Sequence, residues 1–468
     1  LAGEQFASSV SVQIQDASGN QVSSLTGSAT IQPVFIDLAG NAVATYSAVG
    51  STAGNVIFDS LTHTLVGDYR LRFVVGDNSS VSPLTSVTSN PFSISHNVAS
   101  ELVWVSGTEP SAASNDGVIS PAPSLKVVDA FGNAVSTGPT VEVVASVTGS
   151  NTADVVNIAG STSNSVNENV TLNALAIRAL IGNYQLQFTG SVNGVDFDTL
   201  DAPSVLSLSY GVPTQLAITT GSSGARAGLP FVQTPVVEVR DSAGNLVANS
   251  GLEIEATSSE AILIGTTSLS ATSGVASFAA DLGLAGSTSN TITLSYITSF
   301  GGTEISVSET ITLLAGLPSS LRVLQDATTV STRAVFSPLP SVEVLDTYGN
   351  LVLSDSDSEV SVALYRNNIA ISSESAPVTA SSGVVVFSGL SYVATPNNNY
   401  RLQFSHASIS AVVTSSPFVI EPGPVAKVVI HQQPRTITGG VATTMTGELF
   451  EDNAVVRLLD QDDNLVHT

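Results

Sequence analysis

At 468 residues the chain is too long for one ordinary domain, and at roughly 100 to 200 residues each it makes three to five. With 43% hydrophobic, 6% aromatic and 11% charged residues it has ample Val, Ile, Leu and Ala for cores, which excludes disorder driven by charge and low hydrophobicity. A net charge of -25, with lysine only at Lys126 and Lys427, excludes nucleic acid and an anionic membrane surface as partners, because neutralising phosphates takes clustered Lys and Arg. Without cysteine there are no disulfides, thiol nucleophiles or thiolate metal sites. No apolar run of about 18 residues predicts a transmembrane helix, so direct membrane insertion is not expected of this fragment. The opening LAGEQFASSV lacks the basic and apolar regions of a signal peptide, which places any export signal or anchor outside it.

Self-similarity organises the rest. The heptapeptide D-x-x-G-N-x-V occurs at Asp16-Gly19-Asn20-Val22, Asp129-Gly132-Asn133-Val135, Asp241-Gly244-Asn245-Val247 and Asp346-Gly349-Asn350-Val352. A fifth copy, Asp460-Asp463-Asn464-Val466, has Asp in place of Gly. The leading aspartates are 113, 112, 105 and 114 residues apart. Ten residues ahead of each stands a large apolar anchor: Phe6, Ile119, Phe231, Phe336 and Phe450. Between anchor and turn the pattern alternates, as in Val10, Val12 and Ile14, which predicts a half-buried strand.

Further along, Gly54-Phe58, Gly274-Phe278 and Gly383-Phe387 mark a G-x-x-x-F strand. Tyr69-Leu71-Phe73, Tyr184-Leu186-Phe188 and Tyr400-Leu402-Phe404 mark a Y-x-L-x-F strand with the tyrosine on the core side. The second repeat lacks the first motif, and the third carries Thr291-Ile292-Thr293-Leu294 near the place of the second. Repeats close at His96-Asn97-Val98, Gly211-Val212-Pro213, Gly316-Leu317-Pro318 and Gly423-Pro424, leaving almost no linker. About seven short strands in roughly 105 residues predict an all-β chain of tandem immunoglobulin-like Greek-key β-sandwich domains in an extended rod. The divisions expected are 1–97, 98–211, 212–316, 317–422 and a partial domain at 423–468. Sandwiches of about 30 to 40 Å in series would reach roughly 150 Å.

These turns, strands and joints resemble the bacterial immunoglobulin-like repeats of invasin- and intimin-type surface proteins. The resemblance implies a rod-like extracellular stalk with an adhesive tip. The Cys-Trp-Cys pattern of antibody domains is missing, and Trp104 falls on the first strand of its repeat. The first repeat starts 15 residues before Asp16, short of an opening strand, and Gly3-Glu4-x-Phe6 matches Gly447-Glu448-x-Phe450. This phasing suggests an excerpt from a longer array, or a first sandwich completed by a strand of a neighbouring molecule.

Candidate chemistry is sparse. One Asp and one Asn per turn fall short of the six to eight oxygens of a Ca²⁺ site, so the turn reads as an Asx turn with positive φ at its glycine. Denser acids at Asp355, Asp357 and Glu359, and at Asp460, Asp462 and Asp463, are the weak Ca²⁺ candidates, read first as solvated loops. His63, His96, His406, His431 and His467 show no ligand spacing and are expected at surfaces or joints. The sequons Asn78-Ser79-Ser80 and Asn169-Val170-Thr171 matter only on a eukaryotic secretory route. No catalytic motif occurs, Gly221-Ser222-Ser223-Gly224 being a plain loop, and repeated acids at equivalent turns do not converge. The expectation is a structural or adhesive element of the cell surface, not an enzyme. Its partners are neighbouring copies of itself, other surface proteins, or a host or surface ligand. The alternatives are a carbohydrate- or Ca²⁺-binding module, for which Phe131 and Tyr348 are the candidate aromatics, and a spacer of a larger secreted enzyme.

Overall fold

Alternation settles the local structure, because a strand sends successive side chains to opposite faces. In Gly182–Val192 the side chains of Tyr184, Leu186 and Phe188 are buried; in Asn397–His406 those of Tyr400, Leu402 and Phe404 are. The computed structural model describes residues 1–24, 29–76, 84–149, 152–165, 168–288, 291–433 and 453–467. Those residues are all-β, with a single 3-10 turn at Thr152–Asp154 and no α-helix. Phe450, Gly447, Glu448 and the sequon at Asn78 lie outside the described residues.

The chain forms two compact units, 1–214 with 240–247, and 215–239 with 248–468. In the first unit, a core around Leu125, Val143, Leu186 and Phe188 is enclosed by two sheets. One runs Glu101–Trp104, Ser124–Val128, Asn169–Thr171; the other runs Ala112–Ser114, Leu206–Ser209, Gly182–Val192, Val141–Thr148, Thr162–Ser165. Ser124–Val128, Val141–Thr148, Asn169–Thr171 and Gly182–Val192 fall in the two sheets by turns, as in a Greek-key sandwich, while Thr162–Ser165 stays beside Val141–Thr148 and Val155–Ala159 pairs with Ala176–Ala179 apart from both. Trp104 on the opening strand packs edge-on against Phe188, with ring centroids 5.2 Å apart. The same unit holds a core around Phe35, Phe58, Leu71 and Phe73, where Val10–Gln13 pairs with Asn55–Phe58.

In the second unit, Phe336, Val342, Leu364, Tyr400 and Phe404 share one core. Another sandwich has Gln215–Thr220, Val236–Arg240 and Val275–Ser277 in one sheet. Its second sheet runs Ser268–Ser270, Glu253–Thr257, Ile292–Phe300, Thr303–Ile311.

The structure accounts for both departures from the repeat pattern. Leu172, beside Asn169–Thr171, is buried where the G-x-x-x-F strand would place its phenylalanine. Ile292, Leu294 and Tyr296 are fully buried in the Y-x-L-x-F phase, so the third repeat keeps the pattern with its tyrosine moved to the last position. The other strand tyrosines bond backbone a few residues upstream: Tyr184 to Leu180 O at 2.6 Å, Tyr400 to Thr395 O at 2.7 Å and Tyr69 to Val66 O at 3.3 Å. They are corner tyrosines, and their rings belong to the cores.

Two expectations are corrected. Ser341–Leu345 is buried on both faces, not half-buried, because its outward residue Glu343 is covered by Arg322 in a 2.6 Å ion pair. His63 and His406 are buried, at 6% exposure each, and not surface residues. The His63 ring stacks on Phe35 at 4.7 Å and meets Tyr69 edge-on at 4.7 Å, so it packs as an aromatic. His96 does lie at a joint, with Nδ1 2.8 Å from Asn97 O and Nε2 2.9 Å from Thr137 Oγ1.

Burial pulls the His63 imidazole below its ordinary value of 6.5. The unfolded chain therefore binds this proton more readily, and the stability of the first sandwich is full above pH 6.5 and declines as pH falls toward the folded value. Thermal melting at pH 7 and pH 5 should show a drop that the His63→Phe variant, which keeps the stack, does not.

Candidate functional site

The repeated turn is built from its aspartate outward. Oδ1 of Asp129 accepts the backbone N–H of Phe131 at 2.9 Å and of Asn133 at 3.0 Å; Oδ1 of Asp346 accepts those of Tyr348 at 2.8 Å and Asn350 at 2.9 Å. Asp16, Asp241 and Asp460 bond in the same way. The fourth residue closes the loop with φ near +80°, at Gly132 +81° and Gly349 +79°, the left-handed backbone that favours glycine. In the fifth copy Asp463 takes that place at +62°, as Asp and Asn do more readily than other side chains.

The remaining groups of the turn reach out of it. Oδ2 of the aspartate accepts the N–H of the junction residue about 30 positions upstream: Asn97 to Asp129 at 2.9 Å, Gly211 to Asp241 at 2.8 Å, Gly316 to Asp346 at 2.8 Å and Gly423 to Asp460 at 2.9 Å. The asparagine amide then bridges a backbone N–H and C=O two residues apart in the loop before the Y-x-L-x-F strand of the preceding sandwich. Asn133 takes Val66 N–H at 3.1 Å and donates to Thr64 O at 2.7 Å. Asn245 does the same with Ile181 and Ala179, both at 2.9 Å. Asn350 does it with Thr288 at 3.0 Å and Gly286 at 2.8 Å. Among the described residues the Asn464 amide bonds Asp460 alone, and the corresponding segment, Ala394-Thr395-Pro396, has proline where the N–H donor should be.

A further D-x-x-G-N-x-V, Asp37-Gly40-Asn41-Val43, escaped the sequence reading because it is out of phase with the repeat. Asp37 folds the same turn, with Asn41 N–H on Oδ1 at 2.8 Å and Asn41 Nδ2 on Oδ2 at 2.8 Å, as an exposed hairpin that clasps no other segment among the described residues. The turn is thus intrinsic to its residues, and clasping comes from its phase.

Electrostatics follow burial. Asp129, Asp241 and Asp346 lose water, which pushes their carboxyls up, yet the convergent N–H groups outweigh this and hold them below the ordinary 3.8. For Asp460 the same balance leaves a value of about 2.

The other singled-out residues are placed as follows. Asp462 is bound by Arg333, with Nε at 2.9 Å and Nη2 at 2.5 Å, and Asp463 by Lys427 Nζ at 2.7 Å. Asp355 Oδ1 accepts the N–H of Asp357 at 3.2 Å and Ser358 at 3.0 Å. Asp355 Oδ2 is buried without a partner and lines a cavity of about 520 Å³ with Arg226, Asp357, Glu359 and His406. His406 Nδ1 accepts the N–H of Ser408 at 3.1 Å, so its proton sits on the equally unpartnered Nε2, which is therefore a donor and not a metal ligand. No group of three or more His, Asp or Glu stands at metal-holding geometry among the described residues. Tyr296, Ser222 and Glu309 converge, but the carboxylate accepts both hydroxyls at 2.7 Å, which ties down a loop and leaves no free base.

No family profile and no curated protein matches the chain's sequence. Among solved structures it is similar to the S-layer protein rSbsC, at 13% identity over 98% of this chain and 56% of that one, with a TM-score of 0.26. It is also similar to a tetra-tandem repeat from the extending region of a large adhesion protein, at 13% identity, 85% and 93% coverage and TM-score 0.29. The Escherichia coli adhesin FdeC matches at 16% identity, 70% and 100% coverage and TM-score 0.27. The chain spans about half the length of the S-layer protein. TM-scores this low establish no common arrangement, and the functional reading rests on the turns themselves.

Removing the asparagine amide should strand one backbone N–H and one C=O at the joint. Asn350→Ala is expected to weaken that joint by about 1 to 3 kcal/mol, read as faster hydrogen exchange at Thr288, whereas Asn20→Ala on its exposed turn should stay within about 0.5 kcal/mol. Because Asp460 is depressed on folding, its contribution is complete above pH 3.8 and is lost as pH falls through about 2. An NMR titration of the Gly423 amide should show the lower midpoint.

Proposed function

We propose that the chain is a non-catalytic structural or adhesive element of an extracellular or cell-surface protein: a stalk, or a subunit of a filament, sheath or surface layer. The observation that carries this reading is the Asp–Asn turn, which three times ties a sandwich to backbone groups of its predecessor. Joints of this kind restrict swivelling without a linker, as a spacer requires. They favour the division at 97/98, 211/212, 316/317 and 422/423, where the junction N–H groups bind the aspartates. An acidic surface poor in lysine suits a position outside the cell among copies of itself or other surface proteins. The invasin- and intimin-type resemblance fits the same role.

Electron microscopy of the native material, with sedimentation of this chain alone, tests the reading. A stalk gives an elongated monomer and single projections from a surface. A filament or layer subunit gives self-association and continuous polymers. A compact monomer in sedimentation, with neither projections nor polymers in the images, would overturn both.

A second reading, a module for a small polar ligand, is favoured by the cavity where Asp355 Oδ2 lacks a donor and His406 Nε2–H lacks an acceptor. Sugar hydroxyls supply both. Calorimetric titration with neutral mono- and disaccharides should then give heats that vanish in Asp355→Asn with His406→Phe; no heat with the native chain rejects this reading.

A further inference from the structure

Four of the repeated turns, the three that clasp and the Asp460 turn, each meet one particular residue of the preceding sandwich, three positions ahead of its apolar anchor: Gly3, Asp116, Gly228 or Arg333. All four hold left-handed backbone, with φ of +76°, +57°, +77° and +67°. Glycine takes this conformation freely; arginine does so rarely, and a residue held there against its preference is retained where something else is gained.

What stands opposite differs in a matched way. Where the residue is glycine, the third position of the turn is aromatic and its ring covers the bare Cα. A Cβ on Gly3 would stand 2.0 Å from the Phe131 ring, and one on Gly228 would stand 2.8 Å from Tyr348. These are the aromatics that the sequence offered as a ligand platform. Where the residue is charged, the turn answers with hydrogen-bonding groups. Ser242 donates its hydroxyl to Asp116 Oδ2 and accepts from Asn115 Nδ2 at 3.3 Å, while Arg178 Nε holds both Asp116 oxygens at 3.0 Å. The third residue of that turn, Ala243, is small. At the last turn Asp462 receives the guanidinium of Arg333 at 2.5 and 2.9 Å, in the place where Pro396 denies Asn464 its bridge.

We propose that this pair, the left-handed residue and the second or third residue of the turn that meets it, is a specificity key that sets which sandwich end fits which turn. The Asp–Asn clasp reads backbone and is the same at the three turns that make it, so it cannot discriminate among them. The pair reads side chains and takes three forms: glycine with aromatic, aspartate with serine beside alanine, and arginine with aspartate. An aromatic at the third position would collide with Asp116 or Arg333, and an aspartate there would leave Gly228 uncovered. Each sandwich end thereby accepts one kind of turn and rejects the others.

The inference rests on the reading of the turns as joints, and one experiment separates the two. In the full chain, hydrogen exchange is followed at the Gly211 and Ile181 amides, which bind the turn, and at Val143 and Leu186 in the core of the second sandwich. Asp116→Gly relieves the left-handed aspartate and removes the key. Core protection should be unchanged or higher, while protection at Gly211 and Ile181 falls about tenfold. Asp116→Gly with Ala243→Phe transplants the pair found at Gly3 and Phe131 and should restore protection to within about threefold. If Asp116→Gly leaves both amides protected, or the double variant is as loose as the single, the key is refuted. If both amides exchange freely in the native chain, the joint reading itself fails.

Discussion

A carboxylate that receives more N–H groups than its own turn can supply is the constraint on which this molecule depends. Oδ1 is consumed locally, by two amides of the same loop, which fixes the carboxyl plane. Oδ2 accepts the side-chain amide of the turn's own asparagine and has room for a second donor, the junction N–H about 30 residues upstream. The same atom pair therefore folds a loop and ends a linker. Charge-assisted bonds to backbone are shorter and stronger than neutral ones, and burial raises the penalty of leaving any of them unmade. The joints are cooperative for that reason: breaking one bond exposes a charge whose other bonds no longer compensate its burial.

The cores use a different economy of means. Each rests on alternating strands, three of them with a corner tyrosine, and the substitutions among repeats keep volume in place even when the residue changes, as Leu172 does for a phenylalanine and Tyr296 for another. The polar cluster of Ser222, Tyr296 and Glu309 shows what happens when the tyrosine moves along its strand. Its hydroxyl loses the upstream carbonyl and finds a carboxylate. Burial and that neighbouring charge push the phenol well above its ordinary value, so it stays neutral and serves as a donor.

Much of this was legible in the sequence because it is local. D-x-x-G-N-x-V places donor, acceptor and left-handed residue within a few positions, and Y-x-L-x-F announces its own face. The reach of Asn133 and Asn350 to loops more than 60 residues upstream was not legible, since the partner groups are backbone and carry no residue identity. The overlooked Asp37 turn shows the converse: motif without phase forms a hairpin and nothing more. His63 was misplaced because an imidazole stacked on Phe35 and edge-on to Tyr69 leaves no trace in spacing. The left-handed positions at Asp116 and Arg333 were hidden because arginine rarely takes such a φ and aspartate, which takes it more readily, is far more often found at ordinary φ.

A clasp that addresses only main-chain atoms has an implication for descent. When a stretch of coding sequence is duplicated in tandem, the new unit carries a ready turn at its front and a ready loop at its back, so the backbone clasp needs no invention and only the side-chain pair at the new joint has to be matched. Side-chain drift on the receiving loop is invisible to the asparagine that holds it. Repeats joined this way are free to diverge until little common sequence remains, so long as the spacing of a few aspartates and asparagines persists.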